Sequence, residues 1–224
     1  MSAREGYHHG HLREALVEAA IGLAAESGPS GIVLRAVTRQ VGVSPNAAYR
    51  HFADRDALLA EVAHRAMGGL VAAMQRRQAG LPDTGDAQQR AVARLEAIGQ
   101  GYVDFALAEP GLFRVCFAAP PEVVLPDAPT YADAERPADD AAVPETDAHL
   151  DADPFAVLNR ALDDLVDVGW LPAERRPGAE VLCWSVVHGF ATLHLDGPLA
   201  GTPAPDREQA LAAALAHVSR ALGP

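Results

Sequence analysis

Apolar positions along this chain recur at the helical period, and no stretch of useful length alternates as a strand would. From His11 to Ser27, Leu12, Leu16, Ala19, Leu23 and Ala24 share one face, Glu14, Glu18 and Glu26 fall elsewhere, and Gly28-Pro29 stops the helix. Two short segments follow. The first spans Leu34 to Val41, with Leu34, Val37 and Val41 in register, and Gly42 ends it. The second opens at Ser44-Pro45, a good N-cap before a residue suited to the first helical position. Asp54 is placed to cap a long helix reaching about Arg77, with Leu59, Val62, Ala66, Leu70 and Met74 on one side. Further helices are expected at about 86–108, 112–117, 154–168, 173–196 and 206–222. The stretch 119–152 carries six prolines and few apolar residues, which predicts a mobile loop. The expected fold class is all-α: a bundle of three short helices over 1–53, a connecting helix over 54–79, and a larger helical part over 80–224.

Charge changes the picture once it is located. The 224 residues carry a formal charge of −12, which taken whole argues against a polyanionic partner. Residues 1–65, however, hold seven arginines and seven acids, with five of the nine histidines. The excess lies beyond them, and 122–153 alone has ten acids against one arginine. The N-terminal part can approach a polyanion and the acidic stretch cannot. The basic set is entirely arginine, so arginines 35, 50 and 55 must be judged by position and not by type.

Position singles out 34–52. Two short helices flank a tight turn at Gly42, a residue that tolerates positive φ. Val37, Val41, Val43 and Phe52 are apolar where these helices must meet the first one, and the second short helix exposes Asn46, Ala47, Tyr49, Arg50 and His51. A helix so displayed can present its first turn to base edges in the major groove while flanking groups grip phosphates. The bland reading, an ordinary helix pair with a polar surface, does not explain why turn, cap and aromatic signals coincide.

With these residues in view, 7–65 resembles the N-terminal DNA-binding domain of the TetR family of bacterial transcriptional regulators. The resemblance rests on Gly42-Val43-Ser44, on Tyr49-Arg50-His51-Phe52 and on Arg55-Asp56-Ala57-Leu58-Leu59. Tyr7-His8-His9-Gly10 and Trp184-Ser185-Val186-Val187-His188-Gly189 are similar to a subgroup whose C-terminal regulatory domain carries a Trp–His–Gly signature. The resemblance implies a three-helix helix-turn-helix domain followed by a larger helical domain for ligand binding and dimerisation. It also implies a homodimeric repressor, released from a near-palindromic double-stranded DNA operator by a small effector. By position, Tyr49, His51 and Arg55 match phosphate-gripping residues, Arg35 and Ser44 stand at the starts of the two short helices, and Asn46 and Ala47 fall where bases are read. Three positions depart from the pattern: Val33 where Ser or Thr is usual, Thr38 where a small Ala is usual, and Arg55 where Lys is usual. Val33 offers no capping hydroxyl.

Elsewhere the sequence leaves alternatives open. Phe105, Phe113, Phe117, Leu158, Leu162, Trp184 and His188 are either core or the lining of an effector cavity, which helical bundles place between facing helices. Leu182, Val186, Leu193, Leu211, Leu215 and Val218 on the last two helices are the candidate dimer interface. His8, His9 and His11 are read as an N-terminal arm near DNA instead of a metal site, because no second ligand cluster accompanies them. Ser185 and His188 lie three apart, but no strand-turn-helix elbow surrounds the serine, so no enzyme activity is expected. Cys116 and Cys183 sit in apolar surroundings and are expected as reduced thiols. No cofactor and no metal are expected. No signal peptide is visible, and the apolar run Val181–Leu195 is short for a membrane span, so the expected location is cytoplasmic with no membrane partner. The alternative is a small-molecule-binding or enzymatic helical protein with a vestigial helix-turn-helix.

Overall fold

In the computed structural model, the described residues are 9–118 and 153–224, and among them every regular element is a helix. Residues 1–8, with His8, and the acidic stretch 119–152 lie outside the described residues, whereas His9 and His11, expected in an N-terminal arm, belong to the first helix. In chain order the elements are α1 (His9–Ser27), α2 (Leu34–Val41), α3 (Pro45–Ala48), α4 (Arg55–Ala79), α5 (Ala87–Ala108), α6 (Pro110–Cys116), α7 (Pro154–Asp167), α8 (Ala179–Leu195) and α9 (Ala204–Leu222). Short 3-10 turns occupy Gly28–Gly31 and Ala173–Arg175.

Two compact units divide these elements. The first gathers α1, α2, α3, α4 as far as Ala66, and α6; the second takes α4 from Met67 onward, α5, α7, α8 and α9. The expected division of the chain differs at α6, which the reading by segments groups with the C-terminal part. The physical reason is Gly111. A Cβ there would fall inside contact distance of the Ala24 and Ala25 carbonyl oxygens, so glycine lets α6 lie against the backbone at the end of α1.

The core of the first unit holds Leu16, Val17, Ala20 and Ala24 of α1 together with Val37, Ala48, Phe52, Leu58 and Val62, all buried, and α1 packs on α2. The face expected for α1 is displaced: Leu12 and Leu23 are only half-buried, while Val17 and Ala20 are fully covered. Asp54 accepts a hydrogen bond from the Ala57 N–H at 2.8 Å, which caps α4. Arg65 on α4 reaches back to both carboxylate oxygens of Glu14 at 3.0 Å and holds α1 beside α4. These groups are exposed, so the clamp adds geometry more than stability.

The second unit is built on α5, whose buried face runs through Leu95, Ile98, Tyr102, Phe105 and Ala106, with α7, α8 and α9 packed around it. Gly101 admits the backbone at Ala73 and Met74 of α4. Asp153 accepts from the Phe155 N–H at 2.8 Å and starts α7, followed by the buried stripe Phe155, Leu158, Leu162 and Leu165. The end of α9 is tied down by the Trp170 indole, which donates to the Ser219 carbonyl at 3.1 Å, and by Arg175, which donates to the Gly223 and Ala221 carbonyls. By length and composition α4 alone among the described helices could cross a membrane, but 56% of its apolar window is buried within the protein.

Candidate functional site

The turn between α2 and α3 is set by one residue. Gly42 has φ +77°, its N–H donates to the Arg39 carbonyl at 3.3 Å, and the Val43 N–H donates to the Thr38 carbonyl at 2.9 Å. That pair of bonds is the Schellman arrangement, which needs a left-handed residue after the helix. Apart from its chain neighbours, nothing among the described residues lies within 4 Å of where a Cβ would stand, so conformation and not space demands the glycine. Thr38 is buried, and its hydroxyl donates to the Arg35 carbonyl one turn back at 3.2 Å. The departure from Ala therefore leaves no polar atom unsatisfied.

The next element, α3, is a single turn anchored from below. Ala48 is fully buried and Phe52 nearly so, and the Phe52 N–H donates to the Ala48 carbonyl at 3.0 Å. Arg13 stands over the Phe52 ring, 5.2 Å from its centroid, while pairing with Glu61 at 2.6 Å. With that side fixed, Ser44, Asn46, Tyr49 and Arg50 face solvent, and Ala47 and His51 are half-covered. Tyr49 is 54% exposed. Ser44 holds the N-cap position, but its hydroxyl makes no cap bond; the Ala47 N–H is met by the Ser44 carbonyl at 3.0 Å. Val33, 48% exposed, stands at the N-cap of α2 with no side-chain bond, as its chemistry requires.

Arg55 is employed differently from the sequence expectation. Its Nε donates to the Ile32 carbonyl at 2.8 Å, one Nη donates to the Pro29 carbonyl at 2.6 Å, and the other to Asp56 at 3.2 Å. The guanidinium thus fastens the start of α4 to the segment ahead of α2. Lys, with a point charge in place of a planar fork, could not make the same set. Arg35, Arg39 and Arg50 remain exposed, and Arg39 went unmarked in the sequence reading although it lies one turn along α2 from Arg35.

In the second unit, the residues expected to line a cavity separate into groups. Phe113 and Phe117 belong to α6 and its end, with rings in edge-to-face contact at 5.2 Å, and therefore to the first unit. Phe105 and Leu162 are buried core. Trp184 stacks on Phe155 at 4.1 Å and 5°, and meets Tyr102 edge-on at 5.4 Å. His188 Nδ1 lies 2.8 Å from the Tyr102 hydroxyl, and burial holds its pKa below the ordinary imidazole value. A cavity of about 30 Å³ does exist between α5, α7, α8 and α9, and of the expected residues only Leu158 and Trp184 line it. Leu215 and Val218, expected at a dimer interface, line it as well, and Leu211 is buried, so these three face inward. Leu182 and Leu193 are exposed at 41% and 44%, with Val186 half-exposed between them on α8. Sequence reasoning missed Gly99, Cys183 and Ser219 in the cavity wall. The available signal was Ser219 itself, a polar residue set among Leu215, Val218 and Leu222 on one apolar face.

Both thiols are free and buried, and burial raises each pKa to about 12, which keeps them protonated and unreactive. Among the described residues no group of three or more metal-ligating side chains comes together.

This geometry defines a protein with a helix-turn-helix on one compact unit and a separate all-helical second unit. Residues 16–62 match the family model of bacterial regulatory proteins of the tetR family, and 95–218 match that of the tetracyclin repressor-like C-terminal domain. The chain belongs to the TetR family, whose members are DNA-binding transcriptional regulators and not enzymes. An uncharacterized HTH-type transcriptional regulator of Haemophilus influenzae is 44% identical over 68 residues, 30% of this chain and 32% of that protein; the chain thus matches about a third of that relative's length. A protein of unknown function from Rhodococcus sp. RHA1 superposes with a TM-score of 0.71 at 26% identity, over 99% of this chain and 100% of the other. A TetR family transcription regulator from Marinobacter aquaeolei VT8 gives a TM-score of 0.60 at 19% identity over 94% and 95%, a likeness of fold.

Proposed function

We propose that this chain is a homodimeric repressor that binds a near-palindromic DNA operator through α3 and leaves it when a small lipophilic effector enters the second unit. One observation carries the reading: α3 is anchored by Ala48 and Phe52 while Ser44, Asn46, Tyr49 and Arg50 are held in solvent. Asn46 and Ala47 read base edges; Tyr49, His51, Arg35 and Arg50 meet phosphates, with the Ser44 hydroxyl available for the same purpose. Arg55 supports that surface instead of touching DNA. Dimerisation uses the apolar line of α8 formed by exposed Leu182 and Leu193 and half-exposed Val186. Two copies so joined offer two recognition helices to successive turns of the duplex. Release requires the effector to prefer one conformation over the other. Among the described residues, the helix α4, which runs from one unit into the other, and the junction of α5 with α6 are covalent routes for that preference. The protein acts in the cytoplasm, where its DNA is.

A gel-shift titration against the DNA upstream of its own coding region tests this. Binding should weaken steeply as salt rises, because each phosphate contact releases a counterion. Absence of any DNA binding, together with tight binding of a small molecule, would instead identify a ligand-binding protein whose helix-turn-helix is vestigial.

A further inference from the structure

The cavity of the second unit has a chemistry that narrows its ligand. Leu95, Ile98, Leu158, Val187 and Leu215 make its walls apolar, and Trp184 contributes an aromatic edge. Gly99 keeps it open, since a methyl there would run into Leu215 and stand 3.3 Å from Val187. Two polar groups of the wall are already committed or inert: the Tyr102 hydroxyl lies against His188, and the Cys183 thiol is protonated. Ser219 is different. It is 4% exposed, its carbonyl receives the Trp170 indole N–H and the Gly223 N–H, and its hydroxyl has no hydrogen-bond partner among the described residues. A helical serine ordinarily relieves this by donating one turn back. A buried hydroxyl without a partner is costly to maintain, and a ligand that pairs with it recovers that cost. Among the described residues the only charged one in the wall is Glu96, half-buried, and no arginine or histidine joins it. A carboxylate or phosphate entering here would find no cation and one like charge.

We propose that this cavity is the effector site and that its ligand is an uncharged lipophile with a single hydroxyl or carbonyl, which pairs with Ser219. The inference rests on the reading of the second unit as the effector-binding part. At about 30 Å³ the cavity holds one or two waters, so the ligand selects a wider state and its affinity is reduced by that state's rarity. The unbranched, adaptable Met74 side chain in the wall is the group best able to yield.

The test uses the full chain, with thermal unfolding and tryptophan fluorescence read against 1-octanol, octanoate and octylammonium at pH 8. Octanol should raise the unfolding temperature and bind at least about tenfold more tightly than either charged analogue. Ser219→Ala should keep the unliganded unfolding temperature and bind octanol about fivefold more weakly, the worth of one neutral hydrogen bond. Octanoate or octylammonium binding as well as octanol, no octanol binding up to its solubility, or unchanged octanol affinity in Ser219→Ala would each overturn the proposal. DNA binding measured without probe separates the two claims: operator binding with no octanol binding sinks this inference alone, and octanol binding with no operator binding sinks the regulator reading alone.

Discussion

At the scale of single residues, Arg55 shows how a basic side chain in a DNA-binding unit can serve the fold. Its three hydrogen bonds, two to backbone carbonyls, tie the start of α4 to the segment ahead of α2. Replacing Arg55 by Ala should lower the stability of the first unit by about 1–3 kcal/mol, the range for hydrogen bonds to a charged donor, as read by denaturant unfolding. The salt dependence of DNA binding should keep its slope. A reduced slope with unchanged stability would return Arg55 to the phosphate contacts. The sequence showed that the residue is basic and at a familiar position, but not where its guanidinium goes, because that depends on Pro29 and Ile32 being turned toward it by the 3-10 segment. Gly42 was legible for the opposite reason. Its requirement is local, a positive φ after a short helix, and any sequence that turns there must meet it.

At the scale of elements, α1 to α4 were readable because their limits are marked by Gly28, Gly42, Pro45 and Asp54. What periodicity could not supply was the partner of each face. Leu211, Leu215 and Val218 looked alike for an interface between copies or for the interior, and α5 decided the matter by packing over them. Of the aromatic cluster of α5, α7 and α8, Trp184 and His188 were foreseen, whereas Tyr102 and its contact with His188 were not. Burial disfavours the charged imidazole of His188, so the unfolded chain binds its proton more readily than the folded one. By linkage, stability should fall as pH drops from about 6.5 toward the lowered folded value, and the penalty is complete below it. Unfolding temperatures from pH 8 to pH 5 should therefore decline less for His188→Gln than for the wild type. Equal declines would remove His188 as a source of the slope.

At the scale of the whole molecule, the net charge of −12 summarises the chain and misleads about its partner, because the first 65 residues carry none of it. The family is shown by both halves of the chain. If α8 joins two copies, Leu182→Glu with Leu193→Glu should convert a dimer to a folded monomer by sedimentation and weaken operator binding. A wild-type monomer, or a dimer unaffected by the charges, would refute that interface. The central claim, sequence-specific recognition by α3, is tested most directly by selection of bound sites from random duplex DNA with the wild type and with Asn46→Ala and Tyr49→Ala. The wild type should select a near-palindromic site, Asn46→Ala a changed one, and Tyr49→Ala the same site at lower affinity. Selection of no site by the wild type, or an identical site and affinity from all three proteins, would contradict it.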